Sequence, residues 1–122
     1  MYLLDHSITD LKALFDRSPD VIFGVDDEGR VIFANPKAVD MFGYADSEFS
    51  GFEFARLIPG PSQMSIIEEI ELILREASAR SEGLKREIIA VSKDGREIHV
   101  EMMLTPVDIS SFKALVAMSD IR

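Results

Sequence analysis

The stretch LKREIIAVSKDGREIHVEMMLTPV, residues 84–107, decides the fold class of this chain. The dipeptide Asp94-Gly95 divides it into two runs, and Asp-Gly is a strong signal for a tight hairpin turn whose two central residues both take positive φ. After the turn, apolar and polar residues alternate, with one face formed by Ile98, Val100, Met102 and Leu104 and the other by Glu97, His99 and Glu101. Alternation with a period of two predicts a half-buried antiparallel strand.

A second pair of strands is predicted near the N-terminus. Residues 21–25 (VIFGV) and 30–34 (RVIFA) flank the acidic turn DDEG. Asn35-Pro36 then predicts an N-cap followed by proline at the first helical position, in a short helix that ends at Gly43. Residues 46–48 predict a further helical turn, and residues 52–58 continue irregularly.

A longer helix and a last strand complete the expected order. Ser65 and Glu68 form a capping-box pattern ahead of an apolar stripe that runs through Ile66, Ile67, Ile70, Ile73, Leu74 and Ala77. Residues 113–119 predict the last strand. The expected order is two strands, several short helices, one long helix and three strands. This order indicates an α+β fold with an antiparallel sheet.

Length and composition limit the class of protein. With 122 residues, the chain predicts a single domain over 1–122, in which an amphipathic helix over 4–18 flanks a core over 19–122. The net charge of −9 disfavours binding to nucleic acid or to an anionic membrane. Cysteine is absent, which excludes disulfides and thiolate metal sites and fits a reducing compartment such as the cytoplasm. No apolar run approaches the roughly 20 residues that span a bilayer, and the first residues lack a signal-peptide pattern.

The order of short motifs resembles a PAS domain from about residue 11 to residue 121. Those motifs are SPD at 18–20, Asp26 with Gly29-Arg30, Asn35-Pro36, FGY at 42–44, Gly51 with LIP at 57–59, KDGR at 93–96, Val100-Glu101, Thr105-Pro106 and the closing Asp120-Ile121. Arg122 stands where the family usually has threonine, so the hydrogen bond of that hydroxyl is not expected here.

The resemblance implies a five-stranded antiparallel sheet, with short helices and one longer helix over one face, enclosing a small cavity. It also implies a sensory and dimerisation module of a histidine kinase, a diguanylate cyclase or a transcription regulator. Family members continue into an output helix near Arg122. We therefore expect either a piece of a larger protein or an unusually short stand-alone copy.

The resemblance also allows the family's cofactors to be tested against this sequence. The blue-light flavin subclass and the yellow-pigment subclass each need a cysteine, which is absent. The haem subclass carries its iron ligand on the long helix a few residues after a Leu-x-Pro motif, and that position here is Ile66, which cannot ligate iron. Arg86 matches an arginine of the haem subclass but does not replace the ligand. Non-covalent flavin often accompanies a tryptophan, which is also absent. No cofactor is therefore expected, and a haem or flavin sensor is the least favoured of the alternative functions.

Strand alternation and the helix stripe place one set of apolar residues around the expected cavity: Phe23, Val25, Ile32, Ala34, Met41, Ile67, Ile70 and Met102. Two interpretations of this set stay open. The residues either enclose a small organic ligand, or they pack into a filled core that serves only protein–protein interaction. A homodimer is expected, with a seam formed by Leu4, Ile8, Leu11 and Phe15 against their counterparts or the outer face of the sheet.

Catalysis is not expected from this sequence. It contains no Gly-x-Ser-x-Gly elbow, Walker loop or Gly-x-Gly-x-x-Gly motif. Glu97, His99 and Glu101 could bind a divalent metal, but alternation of this kind is more typical of a solvated outer sheet face. The glutamates of the long helix could contact a basic partner or simply face solvent.

Overall fold

Five strands form one antiparallel sheet in the order β2-β1-β5-β4-β3. The computed structural model describes residues 13, 15–60, 64–75, 83–107 and 113–121. The strands are β1 (Val21–Val25), β2 (Val31–Ala34), β3 (Leu84–Val91), β4 (Glu97–Pro106) and β5 (Ala114–Asp120). The first and last strands are neighbours at the centre of the sheet, where Phe23 lies opposite Val116. The five-stranded antiparallel sheet predicted from the sequence is confirmed.

Helices cover one face of this sheet, which we call the inner face. They are α1 (Pro36–Phe42), α2 (Asp46–Phe49), a 3-10 helix (Phe54–Leu57) and α3 (Met64–Arg75). Alternate residues of the strands point under them and form the core; on β4 these are Ile98, Val100, Met102 and Leu104, all buried. The period of two in the sequence therefore identified the buried face of β4. Within the described residues, no helix is long and apolar enough to cross a membrane.

Asn35 ties three parts of the chain together at the start of α1. Its side-chain oxygen accepts hydrogen bonds from the backbone N–H of Ala38 at 3.1 Å and of Ile22 at 3.0 Å. Its amide nitrogen donates to the backbone oxygens of Phe15 at 2.9 Å and Asp20 at 2.8 Å. The predicted N-cap is thus confirmed, and the same side chain also fixes the segment that leads into β1.

The hairpin turn between β3 and β4 differs from the predicted two-residue turn. The Ser92 N–H donates to the Arg96 oxygen at 2.9 Å, and the Gly95 N–H donates to the Ser92 oxygen at 3.0 Å, which closes a three-residue loop. Gly95 has φ +88°, whereas no other residue type in the described part of the chain has positive φ. The expectation that Asp94 also takes positive φ was wrong. A type I turn followed by a left-handed glycine accommodates the sequence without straining an aspartate.

The start of α3 also differs from the expectation. Met64 is already helical, so Ser65 lies inside the first turn and is not the N-cap that the capping-box pattern predicted. The apolar stripe is correct in its described part: Ile70 and Leu74 are buried, and Ile66, Ile67 and Ile73 pack against the core from its edge. Ala77 lies outside the described residues.

The outer face of the sheet carries one aromatic stack near its β2 edge. Phe33 lies opposite Gly24 in the β1–β2 pair, and its ring stacks on Phe15 with a centroid distance of 5.7 Å and an interplanar angle of 10°. Ala13 and Phe15 are helical. The rest of the predicted helix over 4–18, up to residue 12 and including residue 14, lies outside the described residues.

Candidate functional site

Aromatic rings fill the space under the centre of the sheet. The Phe23 ring lies 5.4 Å from that of Phe49, 5.7 Å from Phe54 and 6.0 Å from Phe42, centroid to centroid. Val25, Ala34 and Met102 are buried in the same cluster. Five of the eight residues predicted to line a cavity, these three together with Phe23 and Ile70, are therefore brought together, but around side chains of the protein itself.

A small cavity remains at the edge of this core. It has a volume of about 80 Å³ and lies between α3, the 3-10 helix and the β1–β2 turn. Two of the predicted residues, Ile67 and Ile70, line it. The remaining lining residues are Glu28, Gly29, Glu53, Phe54, Ala55, Glu71 and Leu74.

Sequence reasoning did not find most of these lining residues, although Leu74 belonged to the predicted stripe of α3. The acidic residues come together because Arg30 and Glu53 form an isolated antiparallel bridge, and the Phe54 N–H donates to the Gly29 oxygen at 2.8 Å. This bridge joins the β1–β2 turn to the 3-10 helix across more than 20 residues. No local sequence pattern signals a contact of that kind.

Ile32 and Met41 depart from the predicted cavity set. The β1–β2 register shifts at a bulge between Gly24 and Val25, and a bulge adds a residue that breaks the alternation of faces. Ile32 is consequently 38% exposed and lies outside the core cluster. Met41 is partly buried and lines an open groove of about 430 Å³ between α1, the start of β4 and the end of β5.

The expected haem position carries no ligand atom. Ile66 is partly buried on α3 and packs against the core. His99 lies on the outer face of β4, on the opposite side of the sheet from α3. Arg86, the other position tested, donates to a Glu69 carboxylate oxygen of α3 at 2.7 Å, and both side chains are nearly half exposed. The residues on α3 and β3 in the described part of the chain thus do not fit haem ligation.

Carboxylates on the surface were the other candidates for a metal site. Glu97, His99 and Glu101 share the outer face of β4 as expected, and the Glu101 carboxylate lies 3.8 Å from the Lys85 ammonium. In the described part of the chain, the acidic groups close enough to share an ion are instead those of 26–28, in the β1–β2 turn. One Asp26 oxygen already accepts the backbone N–H groups of Glu28 and Arg30, each at 2.9 Å, so this cluster is explained by the turn.

The β3–β4 turn is fastened to the helices by Lys93 and Arg96. The Lys93 N–H donates to the Phe42 oxygen at 2.8 Å, and the Arg96 guanidinium donates to the Met41 oxygen at 3.2 Å. The Lys93 ammonium also donates to both Glu48 oxygens, at 2.9 and 3.1 Å. Hydrogen bonds from Lys93 and from the Ala45 N–H lower the pKa of the Glu48 carboxyl. The C-terminal end of α1, α2 and the hairpin therefore form one connected unit.

The predicted dimer seam can be located only at Phe15, which lies on the outer face over Phe33. Leu4, Ile8 and Leu11 lie outside the described residues. The outer face also presents Met103 of β4, which is 48% exposed and lies opposite Lys85 of β3 and Ala117 of β5. The partly buried Ile89 and Leu115 lie elsewhere on the same face.

The chain belongs to the PAS family, because a family model described as PAS fold matches residues 9–121. The resemblance found in the sequence is confirmed by this match. A comparison with curated proteins finds no match.

Solved structures of PAS domains share the fold. The PAS domain of an HTR-like protein from Haloarcula marismortui has a TM-score of 0.74 and 26% identity, over 97% of this chain and 94% of the other. A domain of a sensory box sensor histidine kinase/response regulator from Geobacter sulfurreducens has a TM-score of 0.70 and 22% identity, over 98% of each chain. A PAS domain of a LuxR-family transcriptional regulator from Burkholderia thailandensis, solved in complex with ethanol, has a TM-score of 0.69 and 15% identity, over 90% and 96%. The fold of this chain is therefore that of a PAS domain.

Proposed function

We propose that this chain, over residues 1–122, is the non-catalytic sensory and dimerisation module of a cytoplasmic signalling protein. The attached output is a histidine kinase, a diguanylate cyclase or a transcription regulator. The observation that supports this proposal is the cavity of about 80 Å³ between α3 and the 3-10 helix. This cavity opens at the edge of the packed core. A small organic molecule in this cavity is the signal.

The cavity is suited to signalling because it lies between elements that can move apart. Ile70 and Leu74 of α3 rest on the core, and the Arg86–Glu69 pair is the ion pair that joins α3 to β3 in the described part of the chain. A ligand shifts an equilibrium only by its different affinity for the two states. A molecule wedged between α3 and the 3-10 helix favours the arrangement in which the helix stands further from Phe54.

Native mass spectrometry tests the ligand. We expect the protein purified from cells to retain a small-molecule mass, and the Ile67→Phe variant, whose larger ring fills the cavity, to lose it while keeping its circular dichroism spectrum. A bare chain that also shows no thermal shift with a panel of small alcohols, amines and acids would contradict ligand sensing.

A homodimer is the second part of the proposal. The seam comprises Leu4, Ile8 and Leu11 together with Phe15, and it packs on the partner's copy or on the outer sheet face. The stack of Phe15 on Phe33 supports this proposal, because it sets the end of the N-terminal segment against the outer face of the sheet. A dimer joins two output domains, so a small change in one module becomes a change in their relative position.

Light scattering tests the dimer without disturbing the core. Ile8→Glu with Leu11→Glu should give a monomer, whereas Thr9→Glu, which falls off the apolar spacing, should remain dimeric. Phe15 is kept because its ring stacks on Phe33, so a substitution there would disturb the fold as well as the seam. A wild-type monomer, or a dimer that survives both glutamates, would remove dimerisation from the proposal.

The alternative function is a purely structural interaction module without a ligand. The observation in its favour is the packing of Phe23, Val25, Ala34 and Met102, which are all buried in the core cluster beneath the sheet. On this alternative the domain contacts its partner through the outer sheet face or the acidic face of α3. The ligand experiment above separates the two, because an interaction module binds none of the panel.

A further inference from the structure

The cavity at the edge of the core has an apolar interior and an acidic rim. Ile67, Ile70 and Leu74 of α3 and Phe54 of the 3-10 helix supply its apolar walls. Three carboxylates border it from separate elements, and all three are exposed: Glu28, Glu53 and Glu71. The described lining contains no lysine, arginine or histidine.

The three carboxylates converge because of backbone structure and not because they are neighbours in the sequence. Glu28 belongs to the β1–β2 turn, where its N–H donates to Asp26 at 2.9 Å. Glu53 is held against this turn by its bridge to Arg30. Glu71 reaches the rim from α3, one turn before Leu74. The mouth of an apolar cavity is therefore surrounded by like charges.

From this geometry we propose that the cavity selects a small alkylammonium ion, a primary amine with a short apolar chain. This inference rests on the proposed function, since it names the chemical class of the ligand at the same site. The apolar chain enters between α3 and the 3-10 helix, and the ammonium group stays at the mouth among Glu28, Glu53 and Glu71.

The size and the charge of the site both support this ligand class. A cavity of about 150 Å³ accepts benzene, so a space of 80 Å³ takes a chain of about four carbon atoms. Three carboxylates attract a cation and repel an anion, and the net charge of −9 adds attraction at longer range. An ammonium head with three N–H donors can satisfy several carboxylates at once and stays hydrated on its outer side.

Calorimetric titration with three matched probes tests the selection. The probes are n-butylammonium, n-butanol and n-butyrate, which share the apolar chain and differ in charge. We expect n-butylammonium to bind about tenfold more tightly than n-butanol, because three modest charge interactions add to its binding free energy. We expect n-butyrate to bind most weakly, because the carboxylates of the rim repel it. Added salt should weaken the binding of n-butylammonium and leave that of n-butanol nearly unchanged.

Substitutions at the rim assign the effect to its residues. Glu53→Gln and Glu71→Gln should each weaken n-butylammonium binding about twofold without affecting n-butanol. Glu87→Gln is the matched control, because Glu87 is exposed on the outer face of β3, away from the cavity. Ammonium chloride tests the apolar contribution and should bind far more weakly than n-butylammonium.

The outcomes separate this inference from the proposed function. If n-butanol binds as tightly as n-butylammonium, the cavity is a ligand site and the ammonium selection is wrong. The same holds if ammonium chloride binds as tightly as n-butylammonium, or if Glu87→Gln weakens binding as much as the rim variants. If none of the probes binds at millimolar concentration, the ligand site fails together with the inference.

Discussion

The side chain of Asn35 holds the segment that leads into β1 against the start of α1. It is fully buried and uses all four of its hydrogen-bonding positions, two as acceptor and two as donor. In the described part of the chain, no buried side-chain nitrogen or oxygen lacks a partner. Removing this one amide therefore leaves several backbone groups unsatisfied at once.

Asn35→Ala should lower the free energy of unfolding by about 3 kcal/mol, because the loss of the N-cap adds to the loss of the bonds to Phe15 and Asp20. Asn35→Asp keeps both acceptor bonds but sets a charge against two carbonyl oxygens, so it should also destabilise the fold. Urea denaturation measures both. Ser47→Ala, at an exposed position of α2, is the control and should change little; an equal loss there would contradict this role for Asn35.

Glu48 makes stability depend on pH. The Lys93 ammonium and the Ala45 N–H lower the pKa of the Glu48 carboxyl in the folded state. A lowered pKa means that the folded state holds the proton less tightly than the unfolded state, so the stabilisation is present at neutral pH and is lost as the pH falls through the folded-state pKa.

Glu48→Gln should accordingly lower the melting temperature at about pH 7. The difference from wild type should shrink as the pH falls and disappear below the folded-state pKa of Glu48, where both chains carry a neutral side chain. Melting curves recorded across this range provide the measurement. Glu87→Gln, which has no ion pair in the described structure, should show no such trend. A difference that persists at acidic pH would show that the ion pair is not its cause.

At the scale of elements, the β1–β2 pair depends on the absence of a side chain at Gly24. A Cβ on Gly24 would lie 2.7 Å from Cδ2 of the Phe33 ring, and that ring is already stacked on Phe15. The ring would have to move, and its stack with the N-terminal segment would move with it.

Gly24→Ala should therefore cost about 2 kcal/mol of stability, a value typical of overpacking. Phe33→Leu alone should also be destabilising, but the double variant should be more stable than the sum of the two losses predicts, since the smaller side chain makes room for the methyl group. A denaturation cycle over the four proteins measures this coupling. Strict additivity would show that Gly24 and Phe33 do not interact in this way.

The elements show which parts of the structure local sequence patterns encode. Alternation located β4 and its buried face, and Asn35-Pro36 located α1, because each pattern depends on residues a few positions apart. The prediction for Ile32 was wrong because the bulge beside Val25 breaks the alternation between the two faces of the sheet. No residue type in the sequence signals that bulge. The rim of the cavity was not predicted, because it depends on the bridge between Arg30 and Glu53. The cavity volume was also beyond prediction, since it is the small space left after the Phe23 cluster has packed.

At the scale of the whole molecule, acidic residues outnumber basic ones by 22 to 13. Three ion pairs between described residues involve Lys85, Arg86 and Lys93, and all of them are on the surface. The excess negative charge therefore repels itself in the compact state.

Salt should stabilise the protein, because screening of this repulsion outweighs the weakening of a few surface pairs. We expect the melting temperature to rise between about 20 mM and about 200 mM sodium chloride. Choline chloride at matched ionic strength checks that the effect is screening and not binding of sodium. A melting temperature that falls with either salt would contradict the expectation.

The position of β1 inside the sheet, between β2 and β5, has a consequence for how the protein is made. Of the five strands of this sheet, β1 leaves the ribosome first, yet its pairing with β5 needs residues 114–120, which form the last of the five to be translated. Until then, the nascent chain exposes the apolar edge of VIFGV, a template for association with other chains. A translation product that stops before residue 114 therefore lacks the strand that pairs with β1 on its side towards β4, and its exposed apolar edge makes it a natural substrate for chaperones.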